Sequence, residues 1–182
     1  RATLAGNVCN ASPAADTVPA LLVHGAVAVV AGPDGTRRIP VDDLFVRSGV
    51  TTLLRGELVT VIELPMPAER IASAHQRRTR RRGHDLASVT VTCGVDGSGT
   101  TRVAYGSVGP RPLLRVDATG VLADPASSEE ARAAVFETIF ADASPSVRSM
   151  RAGPEYRLAM LRVLGRRALA TALERLAMGE PA

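Results

Sequence analysis

Apolar residues change period several times along this chain, and the changes mark its elements. Val18-Pro19-Ala20-Leu21-Leu22-Val23 reads as a short helix ending near His24-Gly25, since proline is tolerated in a first turn. Ala26 to Val30 is apolar and rich in β-branched residues, Gly32-Pro33-Asp34-Gly35 is a turn, and Thr36 to Val41 returns, so the spacing predicts a hairpin. Asp42 to Phe45 turns the chain again, and Glu57 to Pro65 reads as a strand that Pro65 and Pro67 terminate. A first unit closes near Ala68. Beyond it, Val89 to Cys93 alternates as a half-buried strand does. Thr101 to Gly106 is the next strand, across a glycine-rich hairpin loop from Gly94 to Gly99. Gly106 to Pro112 is a proline-bounded bend, and Leu113 to Val116 a further short strand.

The last third takes a helical period. Asp124 with Pro125, or Ser127 with Glu130 as a capping box, starts a helix that runs to about Ala141. After a Ser/Pro linker from Ala143 to Ser146, Gly153-Pro154 opens the longest helix and Gly179 stops it. Leu158, Leu161, Gly165, Ala168, Leu169, Ala172 and Leu176 form its apolar stripe, with Arg162, Arg166, Arg167 and Glu174 opposite, which suits packing on a sheet. The predicted fold class is α+β.

Composition narrows this picture. The 182 residues suffice for one domain or two small ones. Aromatic residues make up only 3% of them, so Ala, Val and Leu must build the core. Cys9 and Cys93 are too few for a disulfide framework and lack metal-ligand spacing, which predicts a reducing, cytoplasmic setting. No apolar run approaches the ~20 residues of a membrane helix, and no signal peptide is visible. The net charge of +4 is modest and forces no nucleic-acid footprint.

Charge is nevertheless concentrated in Arg77-Arg78-Thr79-Arg80-Arg81-Arg82. Nucleic acid is one reading, but no aromatic residues interleave for base stacking and no DNA-binding motif surrounds the run. An edge that docks an acidic subunit surface, or that sets one Arg on an anionic cofactor, fits better. Continued as a strand, the run sends Arg77 and Arg81 to one face and Arg78, Arg80 and Arg82 to the other. His24, His75 and His84 lie in unrelated contexts, so no metal site is expected. With no Gly-x-Ser-x-Gly elbow or Cys/His pair, no catalytic residue is assigned, and any chemistry must come from a bound cofactor.

The first sixteen residues are the best candidate for holding one. Ala5-Gly6 reads as a small-residue turn that lets backbone N–H groups approach a ligand, Asn7, Asn10 and Ser12 add short polar groups, and Asp16 precedes the first helix. On residues alone, a polar ligand cradle and an ordinary capped surface loop both remain open. Thr3 to Asp16, however, resembles the T-(I/L)-G-G-N-(I/L/V)-x-x-A-S-P-x-x-D element of the FAD subunit of molybdenum hydroxylases, the xanthine dehydrogenase and carbon monoxide dehydrogenase group. Leu58 to Pro65 is similar to that family's E-L-(L/V)-(S/T)-x-I-x-(L/I/V)-P strand. Arg81-Arg82 with Asp85-Leu86-Ala87, then Gly106 to Pro112, then Glu155-Tyr156-Arg157 with Met160-Leu161, resemble its C-terminal domain in the family's order.

The resemblance implies the C-terminal part of a PCMH-type FAD-binding domain, an antiparallel sheet with helices, over residues 1–68. It implies a flavoprotein C-terminal domain, a small antiparallel sheet plus a helical bundle, over residues 69–182. Thr3, Gly6 and Asn7 would contact the FAD phosphates, with Ala5 in place of the first glycine of the pair. That alanine is harmless at negative φ and costs on the order of 1 kcal/mol at positive φ. Asp16 would take a ribityl or flavin-side hydroxyl, Val59 would pack on the ring, and Arg77 would stand near it to stabilise negative charge. The implied role is electron relay through FAD to NAD or another acceptor. The implied partners are an iron–sulfur subunit with 2Fe-2S clusters and a large subunit with the molybdenum cofactor. The family's A-G-G-(S/T) flavin loop precedes the matched region, so the chain reads as cut from something longer, or as completed by a separate chain carrying the N-terminal FAD subdomain. The alternative is a structural or assembly module that docks the same subunits without binding flavin.

Overall fold

In the computed structural model, which describes residues 2–83 and 85–179, two short helices open the chain, α1 (Leu4–Cys9) and α2 (Val18–Val23). The predicted hairpin follows as β1 (Val27–Gly32) and β2 (Gly35–Pro40), paired antiparallel from Val27 opposite Pro40 to Gly32 opposite Gly35. The stretch read only as a turn is richer than expected. It holds a 3₁₀ turn over Val41–Leu44 and a two-stranded ladder, β3 (Phe45–Arg47) with β4 (Val50–Thr51). β5 (Leu58–Glu63) then pairs with the free side of β1, giving the order β2-β1-β5. Val8 of α1, Val18 and Leu22 of α2, Val30 and Leu44 pack together as the core of this region.

The second sheet is an antiparallel meander of β6 (Ile71–Arg78), β7 (Val89–Asp96), β8 (Thr101–Gly106) and β9 (Leu113–Asp117). β7 is buried at every position, where alternation predicted a half-buried strand. The reason is a layer on each face. Val89, Val91, Cys93 and Val95 join Leu161, Leu164, Ala168 and Ala172 of the long helix α4 (Pro154–Met178) in one core. On the other face, a Cβ on Gly94 would stand 2.4 Å from Val23 Cγ1, so only glycine lets α2 seat on this strand. Polar Thr90 and Thr92, on the same face of β7 as Gly94, are buried and not in solvent, which alternation cannot distinguish.

α3 (Glu129–Ile139) begins one residue later than the predicted capping box, with Ser128 Oγ accepting from Ala131 N at 3.2 Å. The scarce aromatic residues are concentrated beside it: Phe136 stacks on Phe140, and Tyr105 meets Phe140 edge-on, both at 5.3 Å between centroids. The core of the second region is thus partly aromatic. α4 starts and stops as predicted, with Gly153 as N-cap and Gly179 left-handed at φ 81°. Its buried face holds Leu161, Gly165, Ala168, Leu169 and Ala172 of the predicted stripe together with Leu164 and Arg157, while Leu158 and Leu176 are only partly buried.

Several bonds tie the two regions together. Ser107 N donates to Pro13 O at 2.6 Å, Arg111 Nη1 donates to Asp42 Oδ1 at 2.8 Å, and His24 Nε2 bonds Ser73 Oγ at 3.0 Å.

Candidate functional site

Ala5 and Gly6 lie in the first turn of α1 and do not form the expected small-residue turn. Thr3 is extended (φ −119°, ψ 156°), its Oγ1 accepts from Gly6 N at 3.0 Å, and its carbonyl accepts from Asn7 N at 3.0 Å. A Cβ on Gly6 would sit 2.8 Å from Thr3 Oγ1, so this cap requires the glycine. Ala5 has a right-handed helical backbone, where a methyl group carries no torsional cost. The helix replaces the turn because the cap satisfies an early N–H and because Val8 is fully buried in the core beneath.

The remaining polar groups of the element are held by specific partners. Asn7 Oδ1 accepts from Thr17 Oγ1 at 2.6 Å, which orients the amide and leaves its Nδ2 hydrogens for another acceptor. Ala11 is left-handed (φ 46°), buried, and accepts at its carbonyl from Gly49 N at 3.0 Å. Ser12 Oγ accepts from Ala14 N at 3.2 Å. Ser107, also left-handed (φ 66°), fastens the loop at Pro13 and donates its own Oγ to Ala87 O at 2.9 Å. The loop that resembled a flavin motif is therefore clamped to the end of β8.

Asp16 and Arg77, 61 residues apart, form an ion pair between this loop and β6, with each side chain a little over one-third exposed. Asp16 Oδ2 takes that contact; Asp16 Oδ1 is buried and accepts no hydrogen bond from the protein. A buried carboxylate oxygen without a donor is costly. Val59 is half-buried on β5 and packs against the same core as α1. The structure thus joins Asp16 to Arg77 directly and sets Thr3, Ala5, Gly6 and Asn7 on one short helix and its cap.

The arginine run does not alternate as expected, because β6 ends at Arg78 and residues 79–83 turn away from the sheet. Arg78 Nε donates to Tyr156 Oη of α4 at 3.0 Å, and Arg80 pairs with Asp85 at 3.4 Å. Arg77, Arg78 and Arg80 are thereby committed within the chain. His24 bonds Ser73, His75 bonds Thr92 at 2.8 Å, and His84 lies outside the described residues. Among the described residues no three His, Cys, Asp or Glu side chains converge on one point, and no helix is long and apolar enough to cross a membrane. Cys93 is buried, which pushes its thiol pKa up and leaves it a packing residue. Two residues that matter to this geometry were not assigned from sequence, Ser107 and Arg157. Both lie in stretches matched to the family, but neither has a polarity pattern that marks it.

Comparison with known proteins agrees with the geometry. Residues 1–67 match the FAD binding domain in molybdopterin dehydrogenase, and residues 74–172 match the CO dehydrogenase flavoprotein C-terminal domain. The chain is 25% identical over 177 residues to the xanthine dehydrogenase FAD-binding subunit of Escherichia coli O157:H7, covering 94% of this chain and 60% of that protein. It is 30% identical over 180 residues to the carbon monoxide dehydrogenase medium chain of Afipia carboxidovorans, covering 95% and 61%. It superposes on a chain of Cu,Mo-CO dehydrogenase in its cyanide-inactivated form with a TM-score of 0.84 at 26% identity, covering 95% and 61%. The chain spans about three fifths of the length of these relatives. The resemblance read from Thr3 to Asp16 and the motifs after it is borne out.

Proposed function

The chain belongs to the flavoprotein family of the molybdopterin and CO dehydrogenases, and from that premise we propose that it supplies one wall of an FAD site in an electron-relaying subunit. The observation that carries this reading is Asp16 Oδ1, a buried carboxylate oxygen with no donor, beside an Arg77 already held in place by Oδ2. A ribityl hydroxyl supplies the missing donor. Thr3 Oγ1 is occupied as an acceptor by Gly6, so its hydroxyl hydrogen is available to a phosphate oxygen, as are the Nδ2 hydrogens of Asn7. Ala5 and Gly6 bring the first-turn backbone of α1 close without a bulky side chain, Val59 offers an apolar surface to the ring, and Arg77 supplies a fixed positive charge near it. FAD, when bound, supplies the exchange of electrons; the chain binds, orients and balances charge.

In this reading residues 1–68 complete the FAD-binding domain and residues 69–182 form the C-terminal domain. Electrons come from an iron–sulfur subunit and a molybdopterin-binding large subunit and leave to NAD or another acceptor. The setting is the reducing cytoplasm, in keeping with two unbridged cysteines.

The test is co-expression of the chain with the segment that carries the A-G-G-(S/T) loop in its relatives. A yellow preparation with bound flavin is expected, and Asp16→Ala should weaken FAD binding about tenfold, the loss of a charge-assisted hydrogen bond. A colourless preparation overturns the proposal.

A further inference from the structure

A cleft of about 540 Å³ opens between the Ser12–Ala14 loop, the end of β8 and the segment that leads into α4. Thr3, Gly6, Asn7, Asp16 and Arg77 do not line it, although Ser12, Pro13 and Ala14 of the same element do. Its lining carries three guanidinium groups, Arg148, Arg151 and Arg157, with the hydroxyls of Ser107, Ser144 and Ser149 among others, and no carboxylate among the described residues.

Arg157 is the anchor. It is only 5% exposed, Nη1 donates to Ser107 O at 2.7 Å, Nη2 donates to Ser149 Oγ, and Nε has no partner. Both partners are neutral. They orient the guanidinium but leave its charge uncompensated, and a buried, uncompensated charge is among the more costly features a fold can carry. Burial first and the nearby Arg151 second push its pKa below the ordinary arginine value, so the surroundings worsen the charge where an ion pair would relieve it. Arg111 and Arg115, by contrast, are each paired with an aspartate. What the cleft lacks is an anion, and a planar fork of N–H donors ringed by hydroxyls matches the oxygens of a phosphate.

We propose that this cleft binds a phosphate group, free or carried by a small phosphorylated molecule. Its volume exceeds that of a phosphate alone and falls in the range of about 300–1,000 Å³ typical of small-molecule sites, which leaves space for the rest of a phosphomonoester. The phosphate sits against Arg157, and Arg148 and Arg151 close over it from the more exposed side.

The experiment follows thermal unfolding of the full chain in rising inorganic phosphate and, separately, AMP, with ionic strength held constant by chloride. Both should raise the melting temperature, and the tighter of the two identifies the source of the group. Arg148→Gln with Arg151→Gln should weaken the phosphate response at least about tenfold, and Arg148→Gln alone, at an exposed site, should weaken it by a smaller factor. Asp16→Ala should leave it intact. No rise beyond the chloride control overturns the proposal, as does a rise that survives the double substitution. A rise lost with Asp16→Ala assigns the anion to the flavin wall and also overturns it.

Discussion

β1 and β7 hold the same rank in their sheets, each with a neighbour on both sides, yet β7 is buried at all eight positions and β1 at two of six. Hydrogen-bonded neighbours do not bury a strand; layers do. β7 is covered by α4 on one face and α2 on the other, whereas the β2-β1-β5 sheet packs one face on α1, α2 and the 3₁₀ turn. Its outer strands stay open: β2 is exposed at every position but Ile39, and Leu58 on β5 is 70% exposed. That periphery is held by ion pairs, Arg37 with Glu57 at 2.7 Å and Arg38 with Glu63, and exposed pairs of this kind contribute little. The sheet around β7 is enclosed on both faces and the β2-β1-β5 sheet on one.

The sharpest way to break this contrast is to remove equal volumes from both regions. Leu161→Ala, at a fully buried position on α4, should cost about 3–4 kcal/mol in urea unfolding. Leu58→Ala on β5 should stay within about 0.5 kcal/mol. Comparable losses would show that both sheets are enclosed alike. Next in size is Gly94→Ala, which places a methyl against Val23 across the seam between the regions and should cost about 2–3 kcal/mol. Its effect should appear as one shifted transition and not as two. The smallest effect concerns pH. The hydrogen bonds from Arg37 and from Leu54 N hold the Glu57 carboxyl at about 2, below its ordinary value of 4.5. The folded value is the lower one, so this stabilisation is complete above pH 4.5 and is lost as pH falls toward 2. Glu57→Gln should flatten the acid limb of a stability profile over that interval, with stability slightly lower above pH 4.5 and the two profiles converging toward pH 2.

Features with local causes were legible from sequence. The hairpin followed from Gly32 to Gly35, and the ends of α4 followed from Gly153-Pro154 and Gly179, because turn and cap preferences act over a few residues. α1 was misread for a local reason too: six residues containing Gly6 and Asn7 have weak helical propensity, and the helix depends on the Thr3 cap and on burial of Val8. The full burial of β7 depends on α2, whose Val23 lies 71 residues before Gly94, so alternation could not report it. In the candidate site, Asp16 and Arg77 were selected by family resemblance; their contact is a matter of tertiary structure. Arg157 was the least legible residue, since a cation inside an apolar stripe reads as a polar-face residue until its carbonyl and hydroxyl partners are known.

The seat of Val23 on Gly94 has a consequence for how this chain can be divided. Two family domains meet in its sequence near Pro65 to Arg70, an exposed stretch in which Met66 is 92% exposed. The helix on one side of it is nonetheless a structural layer for the sheet on the other. Severing the backbone there would yield two fragments that still belong to one interior, so the boundary between the domains is a feature of ancestry and not of mechanics.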